Sequence, residues 1–365
     1  MNYAQRRRKL LRKLKPVGAE AILVTDIINV RYLTGFTGSS AYLLLGSEHQ
    51  RLLSDTRYQT QLADECPDLE VVIRTASSTM LDSVHDVVGE CRINNLAVET
   101  HRLVKSEYDQ LQSRLAGATL IATTGLVEQL RAIKDKLEIE AIRRSISINQ
   151  RSFEVIRAQL TPDQTERQIA HNLEHQMRAF GADKCAFEPI VGVGPRAALP
   201  HGVPGMTRVC EAPFVLMDWG ANVDGYLSDL TRVLVTGKIN AQFRKVYQTV
   251  LAAQLAAIDV SAPGVELRKV DRAARKVIED AGFGKYFGHG TGHAFGLQIH
   301  EQPYLSPIHD GVLEPGMVVT VEPGIYLPGK IGVRIEDDVL VTRQGREILS
   351  DLPKELELCT CHLGD

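Results

Sequence analysis

The chain has 365 residues, 44% of them hydrophobic and 24% charged, with a formal net charge of −3. That balance suits an ordinary globular protein with apolar material for two or three domains. The near-neutral charge excludes a global attraction to nucleic acid or to an anionic membrane, and apolar runs such as residues 41–45 are far too short to span a bilayer.

In chain order, the first segment is basic, carrying Arg6, Arg7, Arg8, Lys9, Arg12, Lys13 and Lys15 without an acid. A targeting segment is one reading, but no apolar stretch of signal-peptide type follows, which argues against secretion. Leu10, Leu11 and Leu14 form a helical stripe, so a solvated first helix is expected. Residues 19–25 and 40–45 read as buried strands joined by a turn-rich connection over 32–39. A strand over 96–99 and a helix over 105–115 follow. This alternation predicts an α/β N-terminal domain over residues 1–124.

The pattern breaks around 121–125. A long amphipathic helix is expected over 133–160. Thr161 as N-cap, Pro162 at the first helical position and Gln164 in a capping box then start a second helix, which stops at Gly181. Further helices are expected over 241–260 and 266–281, and strands over 214–220, 226–235, 317–322 and 332–342. Residues 125–365 therefore read as an α+β domain. Cys66, Cys91, Cys185, Cys210, Cys359 and Cys361 are too scattered for a disulfide scaffold and fit the reduced thiols of a cytoplasmic protein. Cys359, Cys361 and His362 could touch a metal together, but a frayed terminus is the expectation.

Three segments carry chemistry. In the first, Asp224-Gly225 signals a hairpin between the strands over 214–220 and 226–235. Val223 then faces Tyr226 and Asp218 faces Thr231, which leaves Asp229 diagonal to Asp218 on the same face. Two carboxylates crowded there need a shared proton, a basic side chain or a metal cation. The competing reading exposes one acid and pairs the other with Arg232. The second segment, residues 288–301, holds His289, His293 and His300 among four glycines, Gly288, Gly290, Gly292 and Gly296. Imidazole is the commonest metal ligand and a proton shuttle; a phosphate loop would need the Lys-Ser/Thr that is absent. The third segment ends an apolar strand at Glu322-Pro323 and places Arg334 and Glu336 on one face of the next. Alone, it reads as an edge strand with a salt bridge. A rival metal motif, His171-x-x-Glu174-His175, lies on a predicted helix whose neighbours Gln168, Asn172 and Gln176 mark a solvent face.

Together these elements resemble the methionine aminopeptidase and prolidase family, the pita-bread metallopeptidases. The resemblance rests on Asp218-x-Gly220, Gly225-Tyr226-x-Ser228-Asp229-x-Thr231-Arg232, and His289-Gly290-Thr291-Gly292-His293 through His300-Glu301-x-Pro303. It continues in Pro315-Gly316-Met317 through Glu322-Pro323-Gly324-x-Tyr326 and in Arg334-Ile335-Glu336-Asp337. The N-terminal third is similar to the creatinase/prolidase N-terminal domain through Arg31-Tyr32-Leu33-Thr34-Gly35-Phe36-Thr37-Gly38-Ser39 and Asp55-Thr56-Arg57-Tyr58. Methionine aminopeptidases usually lack such a domain, so the Xaa-Pro branch is the better match.

The resemblance implies an α/β N-terminal domain followed by an α+β pita-bread catalytic domain with a two-metal site. Asp218 would chelate one ion, His293 and Glu322 the other, with Asp229 and Glu336 bridging. Glu322 would also carry protons, His201, His289 and His300 would orient substrate and stabilise the oxyanion, and Arg334 and Tyr326 would support the site. Carboxylate-rich ligation suits Mn²⁺; Co²⁺ and Zn²⁺ also fit. The implied activity is that of a cytoplasmic, homodimeric Xaa-Pro aminopeptidase, whose substrate is a peptide with proline at the second position. The alternatives are an Xaa-Pro dipeptidase, a general aminopeptidase, a metal-free creatinase-like hydrolase and a non-catalytic binding module. The complete ligand set speaks against the last two.

Overall fold

The computed structural model describes residues 1–115, 117–361 and 363. The chain divides into two compact units, Met1–Arg131 and Ala132–Asp365.

The first unit is built on a six-stranded mixed sheet. Its spatial order is Glu70–Arg74, Gln50–Asp55, Tyr42–Gly46, Ala21–Val24, Asn95–Glu99, Thr119–Thr123. Ala21–Val24 runs antiparallel to Tyr42–Gly46 and parallel to Asn95–Glu99. The strands at Gln50–Asp55, Glu70–Arg74 and Thr119–Thr123 were not expected, and the helix Ile27–Thr34 occupies the first part of the anticipated turn-rich connection. That helix is capped by Asp26, whose side chain accepts from Ile28 N and Asn29 N, and it stops at Gly35. The first helix, Tyr3–Leu14, is less solvated than its charge suggests. Arg6 and Arg7 are buried, because they donate to the carbonyls of Tyr32 and Leu33 at the end of the neighbouring helix, each at 3.0 Å.

The second unit surrounds a continuous apolar core in which Phe153, Trp219, Phe243 and Tyr247 are among the largest side chains. Its long helix runs Lys136–Ala158 and starts at the Asp135–Glu138 capping box. The next begins at Glu166 rather than after Thr161. Thr161 and Gln164 form only a turn, and Thr165 with Gln168 repeats the capping signature one turn later, where the apolar stripe begins. Helices Ala241–Val260 and Leu267–Asp280 pack against each other. The tail is not frayed in its described part: Cys359 is buried, and Val235 bonds to Cys359 O and Cys361 N at 2.9 and 2.8 Å. His362 lies outside the described residues.

Two small sheets carry the acid hairpin. Phe214–Trp219 pairs with Leu230–Val235 in the register Asp218↔Thr231, and Ala221–Val223 pairs with Tyr226–Leu227 in the register Val223↔Tyr226. Asp224 and Gly225 turn the chain with φ of 53° and 83°, the two left-handed residues of a type I′ turn. The return arm is not one strand: it breaks at Ser228-Asp229, where the hairpin passes from one sheet to the other. A five-stranded sheet of order Glu301–Leu305, Gly292–Ala294, Val318–Val321, Asp337–Thr342, Gly345–Ile348 carries the histidine loop and the terminal acids. At Gly292 a Cβ would collide with the Thr320 carbonyl, so only glycine allows these two strands to approach.

Candidate metal centre and active-site cavity

The strand ends and turns of the second unit converge on a cavity of about 850 Å³, lined by His201, Asp218, Asp229, His289, His293, His300, Glu322, Arg334 and Glu336 among others. Asp218, Asp229 and Glu336 are all buried, and each offers a carboxylate oxygen within 4.8 Å of the others. The edge-strand reading of the terminal acids is overturned: Arg334 pairs with Asp218 across the site instead of with Glu336. Arg232 does not neutralise Asp218 or Asp229 either. It is fully buried and bound to Asp337, to Glu336 O and Thr231 O, and to the carbonyls of Leu352 and Pro353.

His293 completes the arrangement. Its backbone N–H donates to Thr320 Oγ1 at 3.0 Å, and its ring Nδ1 lies 3.2 Å from Ala294 O. Donation to that carbonyl places the ring proton on Nδ1 and leaves Nε2 as a lone pair. Nε2 faces Glu322 Oε1 at 3.4 Å and Asp229 Oδ2 at 3.7 Å. Burial, with the neighbouring His300, lowers the His293 pKa to about 3, so a proton does not fill that gap near neutral pH.

The carboxylates show the same deficit of positive charge. Burial, then the charges of Glu336 and Asp218, hold Asp229 well above the ordinary carboxylate range. Burial, then Glu322 and Asp218, do the same to Glu336. Glu322 is pushed up to about 8, chiefly by burial, with Arg334 opposing. Asp218 Oδ1 and Glu336 Oε1 are buried with no hydrogen-bond partner. Acceptors that crowd one another, some without donors, are what a divalent cation relieves. The donor set therefore fits a metal centre of four carboxylates and one imidazole.

A polar chain backs it. Arg334 Nε donates to Thr231 Oγ1 at 3.1 Å, and Thr231 donates onward to Glu336 Oε2 at 2.7 Å. Arg334 Nη1 donates to the Tyr326 hydroxyl at 2.8 Å, which lies 2.9 Å from His289 Nε2. His289 Nδ1 is 2.7 Å from Gly290 O, so Nδ1 carries the proton and Nε2 accepts from Tyr326. Burial, then the Arg334 charge, lowers His289 to about 4. His300 stands edge-on to His293 with ring centroids 4.5 Å apart, and both His300 and His201 are exposed at the cavity. By contrast His171 and His175 lie exposed on their helix and outside the cavity.

Thr231 was foreseen only as the residue facing Asp218; that position was itself the signal for its role between Arg334 and Glu336. Asp338, fully buried and accepting from Asp229 N at 3.4 Å, was not singled out. Its alternation with Glu336 along the strand was the available clue.

The chain is similar to known proteins along most of its length. Residues 140–343 match the family described as metallopeptidase family M24, and residues 6–133 match the creatinase/prolidase N-terminal domain. An uncharacterized peptidase of Bacillus subtilis is 36% identical over 95% of this chain and 98% of its own. Among solved structures, the Xaa-Pro dipeptidase from Bacillus anthracis is 38% identical, with a TM-score of 0.93 over 97% of this chain and 99% of the other. The X-Pro aminopeptidase from Thermotoga maritima is 36% identical, with a TM-score of 0.86 over 94% and 99%.

Proposed function

Since the chain belongs to metallopeptidase family M24, we propose that it is an Xaa-Pro aminopeptidase, releasing the first residue of peptides with proline second. The observation that carries this reading is the His293 lone pair facing two carboxylates beside the Asp218–Asp229–Glu336 cluster. In this reading Asp218 holds one divalent ion, His293 and Glu322 hold the other, and Asp229 and Glu336 serve both. Bound cations would supply Lewis acidity, activating a water and polarising the scissile carbonyl. Mn²⁺ is the ion proposed, on the ground of four carboxylates in five ligands.

The chain's own groups do the rest. Glu322, at the edge of the carboxylate cluster, accepts a proton from the attacking water and returns it to the departing nitrogen. An Xaa-Pro bond is a tertiary amide without an N–H, so its site must fit the pyrrolidine ring and protonate the ring nitrogen. His289 is held neutral in one tautomer by Gly290 and Tyr326, with both ring nitrogens committed, and so presents a fixed ring to the peptide in the cavity. His201 and His300 orient the peptide at the exposed mouth. Among the described residues no helix is long and apolar enough to cross a membrane, and a cytoplasmic homodimer acting on free peptides is the proposed setting.

The test is elemental analysis of the purified protein, followed by hydrolysis of matched Xaa-Pro and Xaa-Ala dipeptides and longer peptides with added Mn²⁺. The reading requires bound metal and a higher kcat/KM on Xaa-Pro substrates of more than two residues. Cleavage of Xaa-Pro dipeptides alone would establish the second reading, an Xaa-Pro dipeptidase, which the likeness to the Bacillus anthracis enzyme favours. Equal turnover of Xaa-Ala peptides would make the protein a general aminopeptidase.

A further inference from the structure

The helix Leu267–Asp280 contributes none of the residues assigned above, yet it places an acid and a base at adjacent turns against the histidine loop. Asp271 is buried, and Arg275 lines the cavity. They form a two-pronged pair, Nε to Oδ2 and Nη2 to Oδ1, both at 2.9 Å. A solvated i,i+4 pair of this kind contributes little. Here both partners reach further. Arg275 Nη1 donates to Phe287 O at 3.1 Å and Nη2 to His289 O at 2.8 Å. Asp271 Oδ1 accepts from Thr291 N at 3.1 Å and from Thr291 Oγ1 at 2.9 Å. The guanidinium also sits 4.3 Å above the Phe287 ring, whose edge meets His289 with centroids 5.1 Å apart.

One helical turn thus grips the loop at Phe287, His289 and Thr291. The grip extends to the metal ligands, because Thr291 O accepts from Glu322 N at 2.8 Å. From this geometry we infer that Asp271 and Arg275 are positioning residues that set the height and orientation of His289 in the cavity. The inference rests on the role proposed for His289. A planar, multidentate donor is needed, since one group must reach two carbonyls and both carboxylate oxygens. Lysine, with a single ammonium, keeps the charge but not the bridge.

The test is a double-mutant cycle between Arg275→Ala and His289→Ala on the Mn²⁺-loaded full chain, using Ala-Pro and Ala-Pro-Ala as substrates. Arg275→Ala is expected to lower kcat roughly 10- to 100-fold, the scale of an ångström-sized misplacement, with KM and metal content nearly unchanged. It should add no further loss in the His289→Ala background. Imidazole nitrogen NMR should show His289 losing its single tautomer. Arg275→Lys and the near-isosteric Asp271→Asn, which preserve the packing, should fall between wild type and Arg275→Ala. Lys276→Ala, an exposed change on the same helix, should match wild type. If Arg275→Ala costs as much without His289 as with it, the pair is merely structural and the inference fails alone. If His289→Ala is as active as wild type, the role of His289 fails, and the inference falls with it.

Discussion

Trp219 and Asn149 hydrogen-bond in both directions: the indole Nε1 donates to Asn149 O, and Asn149 Nδ2 donates to Trp219 O, each at 3.1 Å. Phe153, one turn further along the helix, stacks on the same indole with centroids 4.6 Å apart. Trp219 follows Asp218 directly, so this clasp fixes the strand that delivers a carboxylate to the cavity. Asn149→Leu keeps the volume and removes the side-chain donor from a buried carbonyl. The expected loss is about 2 kcal/mol of folding stability, read as a lower denaturant midpoint at unchanged slope. A midpoint equal to wild type would show that the carbonyl does not need this donor.

The crowding of Asp229 with Asp218 and Glu336 predicts a crossover in stability. Asp229→Asn removes one of the opposing charges but also a proposed ligand. After exhaustive chelation the variant should melt above the chelated wild type. With Mn²⁺ restored, the wild type should melt above the variant, since only a folded, intact site gains from the ion. Calorimetric scans of the four samples check this; the same order with and without metal would contradict it.

The two histidine sets should separate cleanly. His293→Ala is expected to lose roughly 100-fold or more in activity, together with bound metal. The pair His171→Ala and His175→Ala should retain both, because those rings are exposed and outside the cavity. Metal stoichiometry and kcat/KM decide the matter, and the reverse pattern would move the site to the helix.

Acid stability of the first unit should depend on Glu128. Burial raises its pKa, but hydrogen bonds from His101 at 2.9 Å and Asn29 at 3.0 Å outweigh it and hold the carboxyl at about 2. A pKa below the unfolded value means that the folded state favours the ionised form. Its stabilisation is present above the unfolded pKa, near 4, and is lost as pH falls toward 2. Glu128→Gln should therefore lower the melting temperature at pH 7 and converge with wild type near pH 2. Parallel melting curves across that range would remove Glu128 from the acid response.

The acid hairpin was readable because a two-residue turn sets register and register sets facing pairs: Asp224-Gly225 dictates Asp218↔Thr231, as observed. The break at Ser228-Asp229 was not, since Ser and Asp do not interrupt the pattern by themselves; the turn-side strands, Ala221–Val223 and Tyr226–Leu227, lie against the long helix, a contact not written locally. Gln50–Asp55 and Glu70–Arg74 were missed because the first begins Gln-Arg and the second has a charge at each end, which hides the apolar middle. Arg6 and Arg7 look solvated until the carbonyls they reach, more than twenty residues away, are known. Asp271 and Arg275 have the spacing of any surface ion pair, and nothing local tells that a distant loop will close over them.

Arg232 has consequences for the order of events during synthesis. Its partners, Glu336, Asp337, Leu352 and Pro353, follow it by more than a hundred residues. A growing chain that has just displayed Asp218 and Asp229 holds that guanidinium with only the adjacent Thr231 carbonyl among its final acceptors, and without Glu336. Contacts so distant in sequence form late. Residues 1–131 can therefore complete their sheet while still attached to the ribosome, whereas the acid cluster assembles only after the segment through Pro353 has emerged. Ions that arrive earlier meet a fragment of the proposed ligand set, and loading is expected to wait for that segment to emerge.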